Sequence, residues 1–227
     1  MRAHFLQNLD VEDNYILGGE SLHHLVNVVR VEVNDELLLL NGRGLKVLTV
    51  IEEVSKKTIK LKKVSSTEEE RKFDLDLALG MPKREALELS LKQATELGFR
   101  RVYLVRSDYS QMKFPESERT LKLLISALEQ SNGAFLPEII ESTWDEISYE
   151  NYDDSLVFDS RPNSQQLSLE GKNTLLIVGP EGGFSSGEEI FFKEISNIKM
   201  LNVPTPIMRT PTAVAVGAGI VIRGLLK

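Results

Sequence analysis

The sequence predicts an α/β protein built in two parts, a small β-barrel followed by a larger domain with a parallel sheet. Three observations support this. The first 64 residues contain short apolar runs and one helical pattern, residues 65–72 are charged with few apolar side chains, and the remaining chain alternates strands with helices. Such alternation indicates a parallel sheet covered on both faces. We therefore place two domains at residues 1–70 and 71–227, with the charged stretch as the linker.

The strands of the first part are marked by a hairpin signal and an alternating pattern. Two apolar runs meet at Asn41-Gly42-Arg43-Gly44, which predicts a tight turn. In residues 56–64, KKTIKLKKV, apolar side chains alternate with lysines, which predicts a strand with one buried face. The lysines either protect a sheet edge or contact RNA, and we favour protection. Residues 20–30 predict one short helix with an apolar stripe formed by Leu22, Leu25, Val26 and Val29.

The second part shows a regular succession of strands and helices. Strands are predicted at residues 73–80, 100–105, 155–159, 173–179 and 198–204, and helices at residues 83–98, 116–131 and 212–226. Gly98 is expected to end the first of these helices as a left-handed cap. The last helix holds Gly217 and Gly219 among alanines, which predicts very close packing against another backbone or at a subunit interface.

The composition excludes some classes of protein. Of the 227 residues, 41% are hydrophobic and 27% charged, which is typical of a soluble globular protein. Cysteine is absent, so thiolate chemistry is excluded and a reducing, cytoplasmic location is expected. No secretory signal is visible, and the longest apolar stretch, Ala213–Leu226, is too short to span a bilayer. The net charge of −7 argues against a generally basic nucleic-acid-binding protein but leaves a local basic patch open.

The most unusual stretch is VGPEGGFSSGEE, residues 178–189, which follows an apolar run. A phosphate-binding loop needs a lysine and a hydroxyl after its last glycine, but Phe184 follows Gly183 and no lysine appears before Lys193. Glu181 would repel a phosphate at close range. The turn therefore predicts a backbone cradle for a neutral or cationic ligand. The spacing from Ser185 to Glu188 is a capping box that begins the next helix, and we assign Glu188 no further role.

A second unusual loop precedes the last helix. Pro204, Pro206 and Pro211 lie within eight residues, which predicts a rigid loop. Arg209 lies in the same segment. The loop follows the next predicted strand after the glycine turn, so the two loops are candidates for the two walls of one pocket.

The sequence VGPEGGFSSGEE, followed by a strand, a loop with MRTPTA and a small-residue helix, resembles the SPOUT methyltransferases. The resemblance implies a trefoil-knotted parallel-sheet domain that binds S-adenosylmethionine in the knot. It is most similar to the family that methylates the N-3 position of a uridine in small-subunit (16S) ribosomal RNA. HHLVNVVRVEVNDELLLLNGRG resembles that family's N-terminal PUA-like or OB-like barrel, an RNA-binding module. The resemblance also implies a homodimer that acts on ribosomal RNA or the small subunit.

The resemblance assigns roles to both loops. The positions implied to bind the cofactor are Gly179, Pro180, Glu181, Gly182, Gly183, Val203, Pro204, Ile207, Met208 and Thr212. We take Arg209 as the candidate catalytic residue, because a cation there can stabilise the oxygens of a deprotonated uracil. A salt bridge between Arg209 and Glu181 or another carboxylate is the alternative. For Glu181 itself, orienting the loop and balancing the sulfonium charge both remain open.

Cationic and histidine side chains are the candidates for RNA contact. Lys83 and Arg84 lie at a helix start, where cations oppose the macrodipole, so an anion site is predicted there, with a solvated helix end as the alternative. The adjacent residues His23 and His24 do not share a helix face, so no metal site is expected. The RNA-binding candidates are Arg2, His24, Arg30, Lys83 and Arg84.

The sequence departs from the family pattern at several positions. Lys92-Gln93 reverses a Gln-Lys pair, arginines are absent near Tyr109 and at Asn132-Gly133, and Pro204 and Pro211 replace a glycine and a glutamate. These departures keep two alternatives open. One is a SPOUT methyltransferase acting on another RNA such as transfer RNA, and the other is a non-catalytic RNA-binding relative.

Overall fold

The structure, a computed structural model, describes residues 1–110, 113–159, 169 and 171–226. The chain divides into two units. The first comprises Met1–Glu70 and Ile125–Leu136, and the second comprises Arg71–Leu124 and Pro137–Lys227. The first unit thus includes a segment that the sequence places in the second domain.

The first unit is built on a five-stranded mixed sheet with the order β1-β3-β4-β5-β2. Its strands are β1 (Arg2–Phe5), β2 (Asn14–Gly18), β3 (Glu36–Leu40), β4 (Leu45–Val54) and β5 (Thr58–Glu68). β1 and β3 are parallel, and the other neighbours are antiparallel. Alternate apolar side chains of the three central strands are fully buried in one core, and they are Leu37, Leu39, Val47, Ile51, Ile59 and Leu61.

The predicted hairpin at residues 41–44 is confirmed, since it joins β3 to β4. Gly44 has a φ of 117°, and a Cβ there would lie 2.7 Å from the carbonyl oxygen of Glu69, so only glycine fits. The expectation that the lysines of β5 protect a sheet edge is wrong. β5 lies between β4 and β2, so its lysines do not protect an edge, and Lys60 instead pairs with Glu53 at 2.6 Å.

The first half of the predicted linker is also strand. Residues 65–68 continue β5 and pair with residues 45–48 of β4. Their serine and threonine side chains carry no apolar pattern, so the backbone pairing with the neighbouring strand was not visible in the sequence.

The predicted short helix is present in two pieces, α1 (Gly19–His23) and a π-helical turn, His24–Val29. Its apolar stripe packs on the core of the first unit as predicted, with Leu25 fully buried. Arg30 ends the turn with a left-handed φ of 57°.

The second unit is built on a parallel sheet of six strands with the order β11-β9-β10-β6-β7-β8. The strands are β6 (Asp74–Gly80), β7 (Arg101–Val105), β8 (Glu138–Ser142), β9 (Asp154–Asp159), β10 (Asn173–Val178) and β11 (Ile198–Asn202). Five of them confirm predicted strands, whereas β8 was not predicted because its side chains are only partly apolar. In β6 and β10 nearly every residue is buried, as expected for strands covered on both faces.

The helices of this part of the chain confirm the predicted pattern. They are α2 (Arg84–Glu96), α3 (Ser117–Ser131), α4 (Ser186–Glu194) and α5 (Thr210–Leu225). Gly98 follows α2 with a φ of 78°, as the cap prediction requires. α5 returns to pack on α2 and β10. A Cβ on Gly217 would lie 3.0 Å from a side-chain atom of Leu176, so this glycine packs closely, but against a side chain rather than the predicted backbone. A Cβ on Gly219 would meet no atom of the described residues within 4 Å, so close packing is not found there. Within the described residues, no helix combines the length and the apolarity that crossing a bilayer requires.

A buried charge cluster occupies the end of the parallel sheet where the strands begin. Asp76 has no exposed surface and accepts two hydrogen bonds from Arg100, at 2.9 and 2.7 Å, and one from the Tyr152 hydroxyl at 2.8 Å. The hydrogen bond to Asp76 raises the pKa of Arg100. The pKa of Tyr152 is also raised, mainly because its hydroxyl is buried and to a lesser extent because it lies beside Tyr103 and Asp76. The buried polar groups at this end of the sheet are therefore hydrogen-bonded to one another.

The opposite end of the sheet carries the loops that the sequence singles out. Because all six strands are parallel, their carboxyl ends share one edge. The loops at this edge are residues 81–83 after β6, 106–110 after β7, 179–185 after β10 and 203–209 after β11. The glycine turn and the proline-rich loop are thus brought to the same end of the sheet.

Candidate functional site

The glycine turn is closed by its own backbone and tied to the second loop. The N–H of Gly183 donates to the carbonyl oxygen of Pro180 at 2.9 Å, and Gly183 has a left-handed φ of 72°. The buried hydroxyl of Thr210, in the first turn of α5, donates to the carbonyl oxygen of Gly179 at 3.3 Å. The two loops that the resemblance implies as cofactor loops are therefore adjacent.

The turn also lies very close to the end of β6. A Cβ on Gly80 would lie 2.7 Å from Cδ of Pro180 and 3.3 Å from Cβ of Ser107. Glycine at position 80 is thus required for the buried Pro180 to pack where it does. The rigid ring of Pro180 then fixes the path of the turn relative to β6.

A pocket of about 350 Å³ lies between the two loops. It contains seven of the ten predicted cofactor residues, namely Gly179, Pro180, Glu181, Gly182, Gly183, Ile207 and Met208. Val203, Pro204 and Thr212 do not line it, and Pro204 and Thr212 are exposed. The remaining wall residues, which the sequence did not single out, are Phe158, Val178, Phe184, Glu189, Thr210 and Ala213.

The chemistry of this pocket suits a ligand with a flat apolar part and a positive centre. Apolar side chains form part of the wall, and the glycines leave backbone groups within reach of a ligand. Among the lining residues that the structure describes, the charged side chains are those of Glu181 and Glu189, and both are carboxylates. Carboxylates favour a cation and disfavour a phosphate, so the rejection of a phosphate loop from the sequence agrees with the pocket.

Glu181 has a partner that the sequence did not predict. Both of its carboxylate oxygens accept from the backbone N–H of Lys83, at 3.1 and 3.2 Å, across a separation of 98 residues. Lys83 is the N-cap of α2, so the carboxylate lies at the positive end of that helix. The anion site predicted at the start of α2 is thus occupied by the protein's own glutamate. The side chain of Arg84 pairs with Glu88 at 3.2 Å.

Arg209 is exposed at the N-cap of α5. Among the residues that the structure describes, its side chain forms no ion pair, and the alternative of a salt bridge to Glu181 is wrong because Glu181 binds the start of α2. Pro211 lies in the first turn of α5, where a missing backbone N–H costs no helical hydrogen bond. The departure at Pro211 therefore leaves the helix start intact.

Glu188 is the residue that the sequence interpretation most undervalued. It forms the predicted capping box with Ser185, but it is also 93% buried and collects further donors. Its Oε1 accepts from the Ser107 hydroxyl at 2.7 Å, the Asp108 N–H at 3.1 Å and the Trp144 indole N–H at 2.6 Å, and its Oε2 accepts from the Ser185 N–H at 2.8 Å. One carboxylate thus joins the glycine turn to the loop after β7. A capping-box pattern cannot reveal these three remote partners.

A second pocket, of about 610 Å³, lies beside the first. It is formed by residues 81–83, 108–110 and 181–182, so the two pockets share Glu181 and Gly182. Tyr109 is 51% exposed here, and a Cβ on Gly182 would lie 3.1 Å from Cβ of Tyr109.

The RNA-binding candidates of the first unit have local partners. Arg2 forms an ion pair with Asp35 at 2.5 Å, and the ring of His24 stacks on that of His4 with centroids 6.0 Å apart. Arg30 is exposed. Their role in RNA binding stays a prediction.

Comparison with known proteins identifies the family. The model of the RNA methyltransferase domain matches residues 68–222, and that of the RNA methyltransferase PUA domain matches residues 17–64. The chain belongs to this family of RNA methyltransferases. The predicted enzyme class is confirmed.

Named relatives extend over most of the chain. The ribosomal RNA small subunit methyltransferase E of Rickettsia conorii is 28% identical over 207 residues, covering 87% of this chain and 84% of the relative. That of Bacillus subtilis is 25% identical over 228 residues, covering 91% and 89%.

Solved structures show the same fold. The ribosomal RNA small subunit methyltransferase E of Neisseria gonorrhoeae, bound to S-adenosyl methionine, is 22% identical with a TM-score of 0.81, covering 98% of this chain and 97% of the other. A Legionella pneumophila protein solved with the bound cofactor SAM is 22% identical with a TM-score of 0.81, covering 97% and 96%. The fold class is therefore confirmed as a parallel-sheet α/β domain, matched by the RNA methyltransferase family model, preceded by a PUA-like, barrel-like domain.

Proposed function

We propose that this RNA methyltransferase uses S-adenosylmethionine to methylate the N-3 position of a uridine in 16S ribosomal RNA. The observation that carries the proposal is the pocket between the glycine turn and the proline-rich loop, in which Glu181, one of the lining residues that the structure describes, presents a carboxylate. The relatives named ribosomal RNA small subunit methyltransferase E support the choice of RNA.

The residues of this pocket fit the cofactor. S-adenosylmethionine supplies an activated methyl group on a positively charged sulfur. Backbone groups of Gly179–Gly183 would hold the ligand, and Ile207 and Met208 of the second loop would lie against it. The carboxylate of Glu181 would favour its positive centre. The turn is anchored through Pro180 and Thr210, so these groups would already be in place when the ligand binds.

The chemistry on the RNA side requires that the uracil N-3 lose its proton, which solvent water can accept. Stabilising the charge that develops on the uracil oxygens makes this loss easier in the transition state. Arg209 is exposed beside the cofactor loop, and no described carboxylate neutralises its guanidinium. We therefore assign it this electrostatic role.

The first experiment measures cofactor binding. Titration calorimetry with S-adenosylhomocysteine is expected to show one saturable site, and the exposed variant Leu89→Ala, on the outer face of α2, serves as the matched control that binds normally. Absence of binding at high ligand concentration would remove the proposed function.

The second experiment identifies the target. Mass mapping of 16S ribosomal RNA from a strain that lacks the gene is expected to show the loss of one N-3-methyluridine, which the purified protein restores. An unchanged methylation pattern, together with normal cofactor binding, would favour a non-catalytic RNA-binding relative.

The role of Arg209 is tested by replacement. Arg209→Ala is expected to lower kcat by ~10²–10³, the usual effect of removing a group that stabilises developing negative charge. Binding of S-adenosylhomocysteine should stay within a few-fold. Full methylation by this variant would exclude the electrostatic role.

We assign RNA binding to domain 1–70 and to the helix start at Lys83 and Arg84. We further propose that the protein is a cytoplasmic homodimer that acts on 16S ribosomal RNA or on the small subunit. A phosphate contact contributes to affinity in a salt-dependent way. Arg30→Ala and Lys83→Ala should therefore each weaken RNA binding and reduce the slope with which affinity falls as salt increases. A slope equal to that of wild type would show that the replaced residue does not contact an RNA phosphate.

A further inference from the structure

The second pocket lies where a base must lie to receive a methyl group from a cofactor in the first. Its volume of about 610 Å³ lies within the range of ~300–1,000 Å³ typical of small-ligand sites. The two pockets share Glu181 and Gly182, so a ligand in either one contacts the same turn. A methyl donor and its acceptor require this kind of proximity.

Tyr109 provides an aromatic surface in this pocket. Half of the residue is exposed, and among the described residues its hydroxyl forms no hydrogen bond. A Cβ built on Gly182 would lie only 3.1, 3.2 and 3.3 Å from the Cβ, Cδ2 and Cγ atoms of Tyr109. The close packing on a glycine of the cofactor turn fixes the tyrosine, while its exposed part stays available. An exposed aromatic ring fixed on one side is a stacking platform for a nucleobase.

The polar groups of the pocket match the edge of uracil. Uracil presents an N-3 hydrogen-bond donor between two carbonyl acceptors, whereas cytosine presents an acceptor at N-3. The carboxylates of Glu181 and Asp108 accept hydrogen bonds, and the ammonium of Lys83 donates. While the base is neutral, before the N-3 proton leaves, a carboxylate near N-3 attracts the uracil donor, whereas it would repel the lone pair of cytosine.

Both carboxylates are held by protein donors. Glu181 is fixed by the backbone N–H of Lys83, and Asp108 accepts from the Ser185 hydroxyl at 2.5 Å. A carboxylate has about four acceptor positions, so each retains capacity for a ligand. Acceptors whose positions are fixed in this way can discriminate between bases without first having to be ordered.

We propose that this second pocket binds the target uracil, extruded from the RNA, with Tyr109 as its stacking partner and the carboxylates of Glu181 and Asp108 as the groups that select a base with a donor at N-3. This inference rests on the proposed function, because it assumes that the cofactor occupies the first pocket.

The test compares Tyr109→Ala with Tyr109→Phe, using small ribosomal subunits from a strain that lacks the gene. Loss of base stacking should raise the KM for the subunit, or weaken its binding, by roughly fivefold to 150-fold in Tyr109→Ala. Tyr109→Phe keeps the ring and should stay within about twofold of wild type. Binding of S-adenosylhomocysteine should be unchanged in both variants, which also shows that they are folded.

A double-mutant cycle tests the contact with the cofactor turn. Gly182→Ala places a methyl group against Tyr109 and should weaken RNA binding severalfold. In the Tyr109→Gly background the same change should weaken RNA binding less, because the Cβ, Cδ2 and Cγ atoms that crowd the added methyl group are absent there. Equal effects of Gly182→Ala in both backgrounds would show that the two residues are not coupled and would overturn the proposed platform.

The outcomes separate the two proposals. If wild-type protein fails to bind S-adenosylhomocysteine, the proposed function fails. If wild type methylates normally but Tyr109→Ala has an unchanged KM, only the uracil pocket is wrong. Loss of activity in Tyr109→Phe, or loss of S-adenosylhomocysteine binding in Tyr109→Ala, would likewise overturn the stacking role.

Discussion

Replacing Glu188 by glutamine tests whether one buried carboxylate holds the site together. The residue is 93% buried and accepts hydrogen bonds from four donors, three of them on Oε1. Glutamine has one acceptor oxygen, so if that oxygen keeps the three Oε1 partners, the amide nitrogen faces the Ser185 N–H. Two donors then oppose each other, and the Ser185 N–H loses its acceptor.

The magnitude follows from these contacts. An unsatisfied buried donor costs about 1–3 kcal/mol. The three bonds that remain change from charge-assisted to neutral, which roughly halves the strength of each. We expect a loss of about 3 kcal/mol or more in the free energy of unfolding, which corresponds to a fall in Tm of roughly 6 °C or more for a chain of this length.

Thermal and urea unfolding measure this change, and Glu194→Gln is the matched control. Glu194 lies in the same helix but is exposed, so its replacement should change stability by no more than ~0.5 kcal/mol. Glu188→Gln should also weaken the binding of S-adenosylhomocysteine, because the glycine turn loses its link to the loop after β7. Equal stabilities of the two variants would refute the view that Glu188 joins these loops.

Two further predictions concern the packing of the turn and the first unit. Gly80→Ala should reduce stability and S-adenosylhomocysteine binding together, because the new Cβ would lie 2.7 Å from Pro180, and calorimetry showing normal binding would contradict this. Glu129 is partly buried, which raises its pKa, but hydrogen bonds from His4 and the Phe5 N–H and the charges of His4 and His24 outweigh burial and lower the pKa below 4.5. The stability that Glu129 contributes is therefore present above about pH 4.5 and is lost as the pH falls through the lowered pKa. Glu129→Gln should thus be less stable than wild type at neutral pH and as stable as wild type in acid. Urea unfolding from pH ~7 to ~3 measures this, and a difference between the two proteins that does not change with pH would refute it.

Much of the fold follows from local patterns. The alternation around Ile59 and Leu61 identified β5, and the apolar runs before Gly80 and Gly179 identified β6 and β10. β8 and the end of β5 escaped prediction because neither shows an alternation of apolar and polar residues. β8 has two adjacent isoleucines between polar residues, and residues 65–68 of β5 are all polar. Their strand conformation comes from pairing with neighbours that lie far away in the chain.

The sequence by itself determined the succession of most strands and helices, the position of the glycine turn after a buried strand and the rejection of a phosphate loop. Each of these depends on residue type and short-range spacing, which the chain carries wherever it folds. It could not determine which groups Glu181 and Glu188 contact. Glu181 binds a backbone N–H 98 residues away, and Glu188 a hydroxyl 81 residues away. Only the order of the parallel strands brings these loops to one edge, so the tertiary structure alone decided that Glu181 caps α2, and it alone brought Tyr109 against the cofactor turn.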